Sequence, residues 1–252
     1  MITKIHPILF AFLVYVSGFA ATARTAADEY QQALKALAAN NYKEALSHFE
    51  SAVVAEPDNA VYSNEYRKAI IQSKEFDRAL DFFEKRVREH PDSANLHLNY
   101  GFAYVDKIPV AGAITQVILA DRALTQFTKS VELRPDWIGY YTRGQSYLFW
   151  PKIFNRAPLG VADLEKAMEI QKKEPHRGYH VRLYVALGDG YWKTDQLEKA
   201  IATWRAGLQE FPDNANLKRR LAASGDDLKT LIESGFDPAK RVNTDLSDLW
   251  TN

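Results

Sequence analysis

The chain has 252 residues, 46% of them hydrophobic and 25% charged, with 32 basic residues against 32 acidic ones and no cysteine. This length and mix suit one or two globular domains with their own core, and zero net charge argues against a general nucleic-acid binder, which needs a basic surplus. The lack of cysteine excludes disulfides, thiolate zinc sites and thiol nucleophiles.

Met1 to Ala23 reads as a secretory leader. Lys4 supplies a positive start, Ile8 to Ala20 an apolar stretch, and Ala21, Thr22 and Ala23 a small-x-small cleavage site. The expected mature chain begins at Arg24 and is exported, periplasmic or secreted. Left uncleaved, residues 5–23 would anchor the chain in a membrane.

From residue 24 onward a spaced pattern recurs: Ala45, Phe49, Pro57; Ala79, Phe83, Pro91; Ala123, Phe127, Pro135; Ala200, Trp204, Pro212. In each, an aromatic follows alanine by four residues and proline follows the aromatic by eight. Alanine and the aromatic share a helix face, the small residue admitting a neighbouring helix and the large one filling the gap. Proline then ends the helix. Upstream lies a partner helix whose small residue sits three before a second position: Ala33 before Ala36, Gly101 before Tyr104, Gly144 before Tyr147, Gly188 before Tyr191. Mid-helix glycine costs roughly 1 kcal/mol of propensity, so its recurrence predicts close helix packing.

This pattern resembles the tetratricopeptide repeat family over about residues 26–222. The resemblance implies an all-α solenoid of about five antiparallel helix pairs in a right-handed superhelix, with a C-terminal capping helix. The expected units are 26–59, 60–93, 94–136, 137–180 and 181–214, after which a solvating helix near 215–223 completes the solenoid, 24–224. The remainder, 225–252, should hold one short helix at 226–234 and a tail whose Trp250 folds back as part of the end cap.

Three units depart from the pattern. The second places Arg67 and Arg86 in slots that normally hold small residues. Either the two helices splay and both side chains reach water, or two convergent arginines hold an anion or carboxylate. The third unit carries about ten extra residues between its helices, within 107–118, and the fourth about four more near 149–158. Both inserts are apolar, and adjacent inserts should emerge on one edge. Ile108, Val110, Ile114, Phe149, Trp150, Ile153 and Phe154 are therefore expected to cluster, as a satellite core or as an exposed patch for a partner or membrane.

The family resemblance further implies that the first helices line a concave groove for extended peptides or partner helices. By slot, that lining comprises Tyr30, Leu34, Asn64, Lys68, Leu98, Phe102, Tyr141, Gln145, Arg182, Asp189 and Trp192. No catalytic signature stands out. Gly188, Asp189 and Gly190 lack the third glycine and preceding strand of a dinucleotide site, and His176 and His180 read as a solvated helix start rather than metal ligands. No cofactor or metal is expected. The leading expectation is a non-enzymatic interaction scaffold in the cell envelope that binds a protein or peptide. Alternatives are an accessory ligand-binding component of a transport system, its inserts closing over a small apolar ligand, and an enzyme subunit. Exposed solenoid ends would also permit self-association.

Overall fold

The computed structural model describes residues 24–250; the leader and its cleavage site lie outside them. Twelve α-helices account for most of the described residues, and no strand occurs among them. They are α1 (Ala26–Ala38), α2 (Tyr42–Ala55), α3 (Ala60–Ser73), α4 (Phe76–Glu89), α5 (Ala94–Lys107), α6 (Ala113–Leu133), α7 (Trp137–Leu148), α8 (Ala157–Gln171), α9 (Val181–Lys193), α10 (Leu197–Glu210), α11 (Ala215–Ala222) and α12 (Gly225–Glu233). Consecutive helices pack as five pairs, α1/α2 to α9/α10, and each pair stacks on the next to form the expected solenoid.

The repeated residues do the packing. A Cβ on Gly101 would lie 2.4 Å from the Phe127 ring, and one on Gly188 would lie 2.1 Å from the Trp204 indole nitrogen. The bare backbone of α5 and α9 thus receives the large side chain of the second helix. The residues after each proline cap the next unit's first helix. Asn59 Oδ1 accepts from Val61 N at 3.1 Å, Ser93 Oγ from Leu96 N at 3.2 Å, Asp136 Oδ1 from Gly139 N at 2.9 Å and Asn214 Oδ1 from Leu217 N at 3.0 Å. Each satisfies a donor the helix start leaves open. Within pairs one, two and five, the turn is closed by Asn40, Lys74 or Asp195 in the left-handed region, at φ 58°, 61° and 61°. Pairs three and four carry their inserts at that same turn.

The second pair differs from the others: α3 and α4 approach each other much less closely than the helices of the remaining pairs. The splayed arrangement expected from Arg67 and Arg86 is present, but the side chains behave differently. Arg67 does not reach water; it is 1% exposed. Arg86 does not converge with it, lying instead over Phe82 at 5.8 Å and pairing with Glu89.

The third-unit insert was expected between the two helices, and much of it instead lengthens the second. Ile108–Val110 forms a single 3₁₀ turn, and α6 starts at Ala113, so the helix runs 21 residues against 14 for α2, α4 and α10. Two apolar clusters form the core. One is centred on Phe49, Tyr66, Phe83 and Phe127, the other on Leu148, Leu164, Leu183 and Trp204.

Candidate functional site

The C-terminal segment determines the character of the concave face. Beyond α12 the chain makes a 3₁₀ turn at Ser234–Phe236, and residues 241–249 then run back along the solenoid to α3. The expected end cap is instead supplied by α11 and α12, through buried Leu217, Leu228 and Ile232. Trp250 and Leu249 pack on the first cluster, Leu249 touching the second as well. The physical reason lies in α3: its splayed position leaves a polar cradle that α4 does not fill.

Arg67 anchors that cradle. Its Nη1 donates to Asp106 Oδ2 at 3.0 Å, its Nε to Asn99 Oδ1 at 2.9 Å, and its Nη2 to Asn64 Oδ1 at 3.1 Å and to the Thr244 carbonyl at 2.8 Å. The Phe102 ring covers its guanidinium at 4.6 Å. Asp106 is completed by Thr244 Oγ1, which donates to Oδ1 at 2.5 Å. Burial pulls the Arg67 guanidinium down and the Asp106 carboxyl up from their ordinary values, and their mutual attraction opposes both shifts. A buried ion pair is stable only when its remaining donors and acceptors are also met, and the tail supplies the last of these.

Beside it, Asn64 reads the tail backbone. Its Oδ1 accepts from Leu246 N at 3.0 Å while its Nδ2 donates to Asp245 Oδ1 at 3.0 Å. Lys68 lies 3.7 Å from Asp245, and Arg182 holds Asp248 at 2.6 Å. Leu246 enters the first core cluster. Burial raises the Asp245 pKa, but hydrogen bonds from Ser247 and Asn64 and the Lys68 charge outweigh it and hold the carboxyl down at about 2.

Of the residues assigned to the groove by slot, Asn64, Lys68, Phe102 and Arg182 thus meet in contact with the tail or its anchor. Tyr141 and Gln145 line a cavity beside it together with Phe102 and Arg182; Tyr141 stacks on Trp137 at 4.8 Å. The others sit differently. Tyr30 packs against Tyr62 at 4.9 Å, and Leu34 packs on the first cluster. Leu98 is buried within that cluster and Trp192 packs on the second. Asp189 is committed to Arg220 of α11, with two bonds of 2.6 Å.

The insert residues divide rather than forming one cluster. Phe149 and Trp150 turn inward with Ile108 to line the cavity, Phe149 meeting Phe236 at 5.1 Å. Val110, Ile114 and Ile153 project outward, Ile114 being 81% exposed and Ile153 88%. Phe154 touches Trp150 at 5.3 Å yet stays exposed. Residues successive on a helix point about 100° apart, so extending α6 turns Ala113, Gln116 and Val117 toward the cavity and Ile114 away from it.

The histidine pair is also corrected. His180 is buried at 2%, beside Trp137 and Tyr179, and burial lowers its pKa, while His176 stacks on Phe211 at 4.7 Å. Among the described residues no group of three or more His, Asp or Glu side chains could hold a metal ion. Sequence reasoning overlooked Asn99, Asp106, Thr244, Asp245, Leu246 and Asp248. The available signal was Arg67 itself, since an arginine in a small-residue slot requires a carboxylate nearby.

A tetratricopeptide repeat profile matches residues 36–99. Residues 36–99 thus match the tetratricopeptide repeat family, and the described residues have the fold of its solved members. Solved structures share its fold. A thermophilic tetratricopeptide repeat protein of Thermus thermophilus is 18% identical, with a TM-score of 0.55 over 79% of this chain and 97% of its own. A tetratricopeptide repeat protein of Parabacteroides merdae is 14% identical, with a TM-score of 0.56 over 83% of this chain and 74% of its own. YrrB, described as a tetratricopeptide repeat protein with an unusual peptide-binding site, is 16% identical, with a TM-score of 0.53 over 79% and 92%. No curated protein matches. The architecture is that of a tetratricopeptide repeat solenoid.

Proposed function

We propose that the protein is a non-enzymatic scaffold, exported to the cell envelope, that receives an extended segment of a partner protein on its concave face. One observation carries this reading: the face lined by the first helices holds a non-α-helical segment of its own chain, and it does so partly through the backbone. The Thr244 carbonyl and Leu246 amide are both met by side chains of α3, Arg67 and Asn64. Backbone-directed bonds combined with an apolar side-chain pocket are the means by which proteins capture extended peptides. The peptide-binding site named for the fold neighbour YrrB points the same way. The leader-like first 23 residues support export.

The test uses two full-length chains and a labelled peptide of residues 240–250. Reversing the tail charges, Asp245→Arg with Asp248→Arg, should free the concave face. That chain should then bind the peptide in trans, whereas the wild type, already occupied, binds it at least about tenfold more weakly. Adding Asn64→Ala and Lys68→Glu to the freed chain should abolish binding. Failure of the freed, still helical chain to bind the peptide would overturn the reading.

A further inference from the structure

Beside the tail lies a cavity of about 630 Å³, within the range of about 300–1,000 Å³ that encloses small organic ligands. It does not depend on the peptide reading above. Its walls come from α5, α6, α7 and the tail, chiefly Phe127, Ile138, Phe149, Trp150, Val242 and Leu246. The departure from the repeat pattern builds it, because Ala113, Gln116 and Val117 belong to the extra turns of α6.

Two polar side chains on these walls are engaged within the fold. Gln116 Nε2 is spent on the Ile108 and Ala111 carbonyls at 3.2 and 3.1 Å, and Ser146 Oγ donates to the Thr142 carbonyl at 2.8 Å. The remaining walls are mostly apolar, and a hydrocarbon chain fills such a space without bringing polar groups of its own to be met. One end is different. Lys193 of α9 lines the cavity half-buried, its ammonium 4.2 Å from the Phe236 ring centre, with no salt bridge or hydrogen bond among the described residues. Burial lowers its pKa, with Glu233 and Asp189 opposing. Arg182, the other cation of α9 at the cavity, is already paired with Asp248. Val117 of α6 also lines the cavity and stands about half exposed.

We propose that this cavity binds a single-chain amphiphile with an anionic head, a long-chain carboxylate, its chain along α6 and its carboxylate on Lys193. The experiment titrates delipidated full-length protein with palmitate, and with palmityl alcohol as the uncharged control, below their aggregation concentrations. Stoichiometry is read by native mass spectrometry and affinity by displacement of a fluorescent fatty acid. The expected result is one palmitate per chain, bound at least about tenfold more tightly than the alcohol. Lys193→Gln should erase that difference. Ala120→Trp should fill the cavity and abolish binding, and Val117→Asp, at an exposed position that leaves the fold intact, should weaken palmitate by at least about tenfold. No saturable binding of palmitate to the wild type overturns the proposal. So does undiminished binding by a helical Val117→Asp chain, or equal affinity of the wild type for acid and alcohol.

Discussion

Gly188 has no room for a side chain, because the Trp204 indole occupies the place a Cβ would take, 2.1 Å away. Gly188→Ala would gain roughly 1 kcal/mol of helix propensity, yet overpacking costs of about 1–3 kcal/mol should prevail because Trp204 is fully buried and cannot give way. Urea unfolding should show a lowered midpoint with an unchanged slope. At Arg67 the expectation is steeper. Asp106→Ala strands a buried guanidinium and should cost about 3–5 kcal/mol, while Arg67→Met with Asp106→Leu should recover most of that loss. Chemical denaturation of the single and double variants checks both. The small residues at 33, 101, 144 and 188 were legible in the sequence because their spacing repeats. The Arg67–Asp106 pair was not, because its partners come from α5 and from Thr244, far apart in the chain.

At the scale of elements, helix identity follows local chemistry, so the pairs and the end helix were readable. Two features were not. The insert at 107–118 reads only as extra apolar residues between two helices, yet from Ala113 onward it extends α6. Its outward face carries no packing, so Ile114→Lys should change stability by less than about 0.5 kcal/mol in the same denaturation assay. The tail at 241–249 has no repeat spacing, and its position is fixed by contacts with α3, α5 and α9. Its docking depends on ionised Asp245. A carboxyl depressed from 3.8 to about 2 contributes docking stability that is fully present above the first value and lost as pH falls toward the second. A fluorophore on a single cysteine introduced at exposed Asn243, in a chain otherwise free of cysteine, should report release of the tail between about pH 4 and about pH 2 while helicity persists.

In the whole molecule, each repeat touches mainly its neighbours, so stability should be close to a sum of local terms. The core accordingly divides into two clusters that meet near α6 and α7, and Leu249 of the tail packs on both. The tail therefore joins regions that the helices alone connect only in series. Releasing it with Asp245→Arg and Asp248→Arg should make unfolding less cooperative. Hydrogen exchange should then show the α1–α6 half opening at a different free energy from the α7–α12 half, where the wild type opens more nearly as one. The solenoid itself follows from spacing and was visible in the sequence; this long-range tie has no period and was not.

The tail also sets an order in time. Helices emerge and pair from the N-terminus as synthesis proceeds, and α1 to α10 can stack before residue 241 exists. Until then the buried Arg67 lacks the Thr244 carbonyl, and the concave face is open to any extended chain that reaches it. The stretch that closes this face is made after the helices it closes, so a partner present during synthesis competes with a segment not yet there, whereas a later one must displace it.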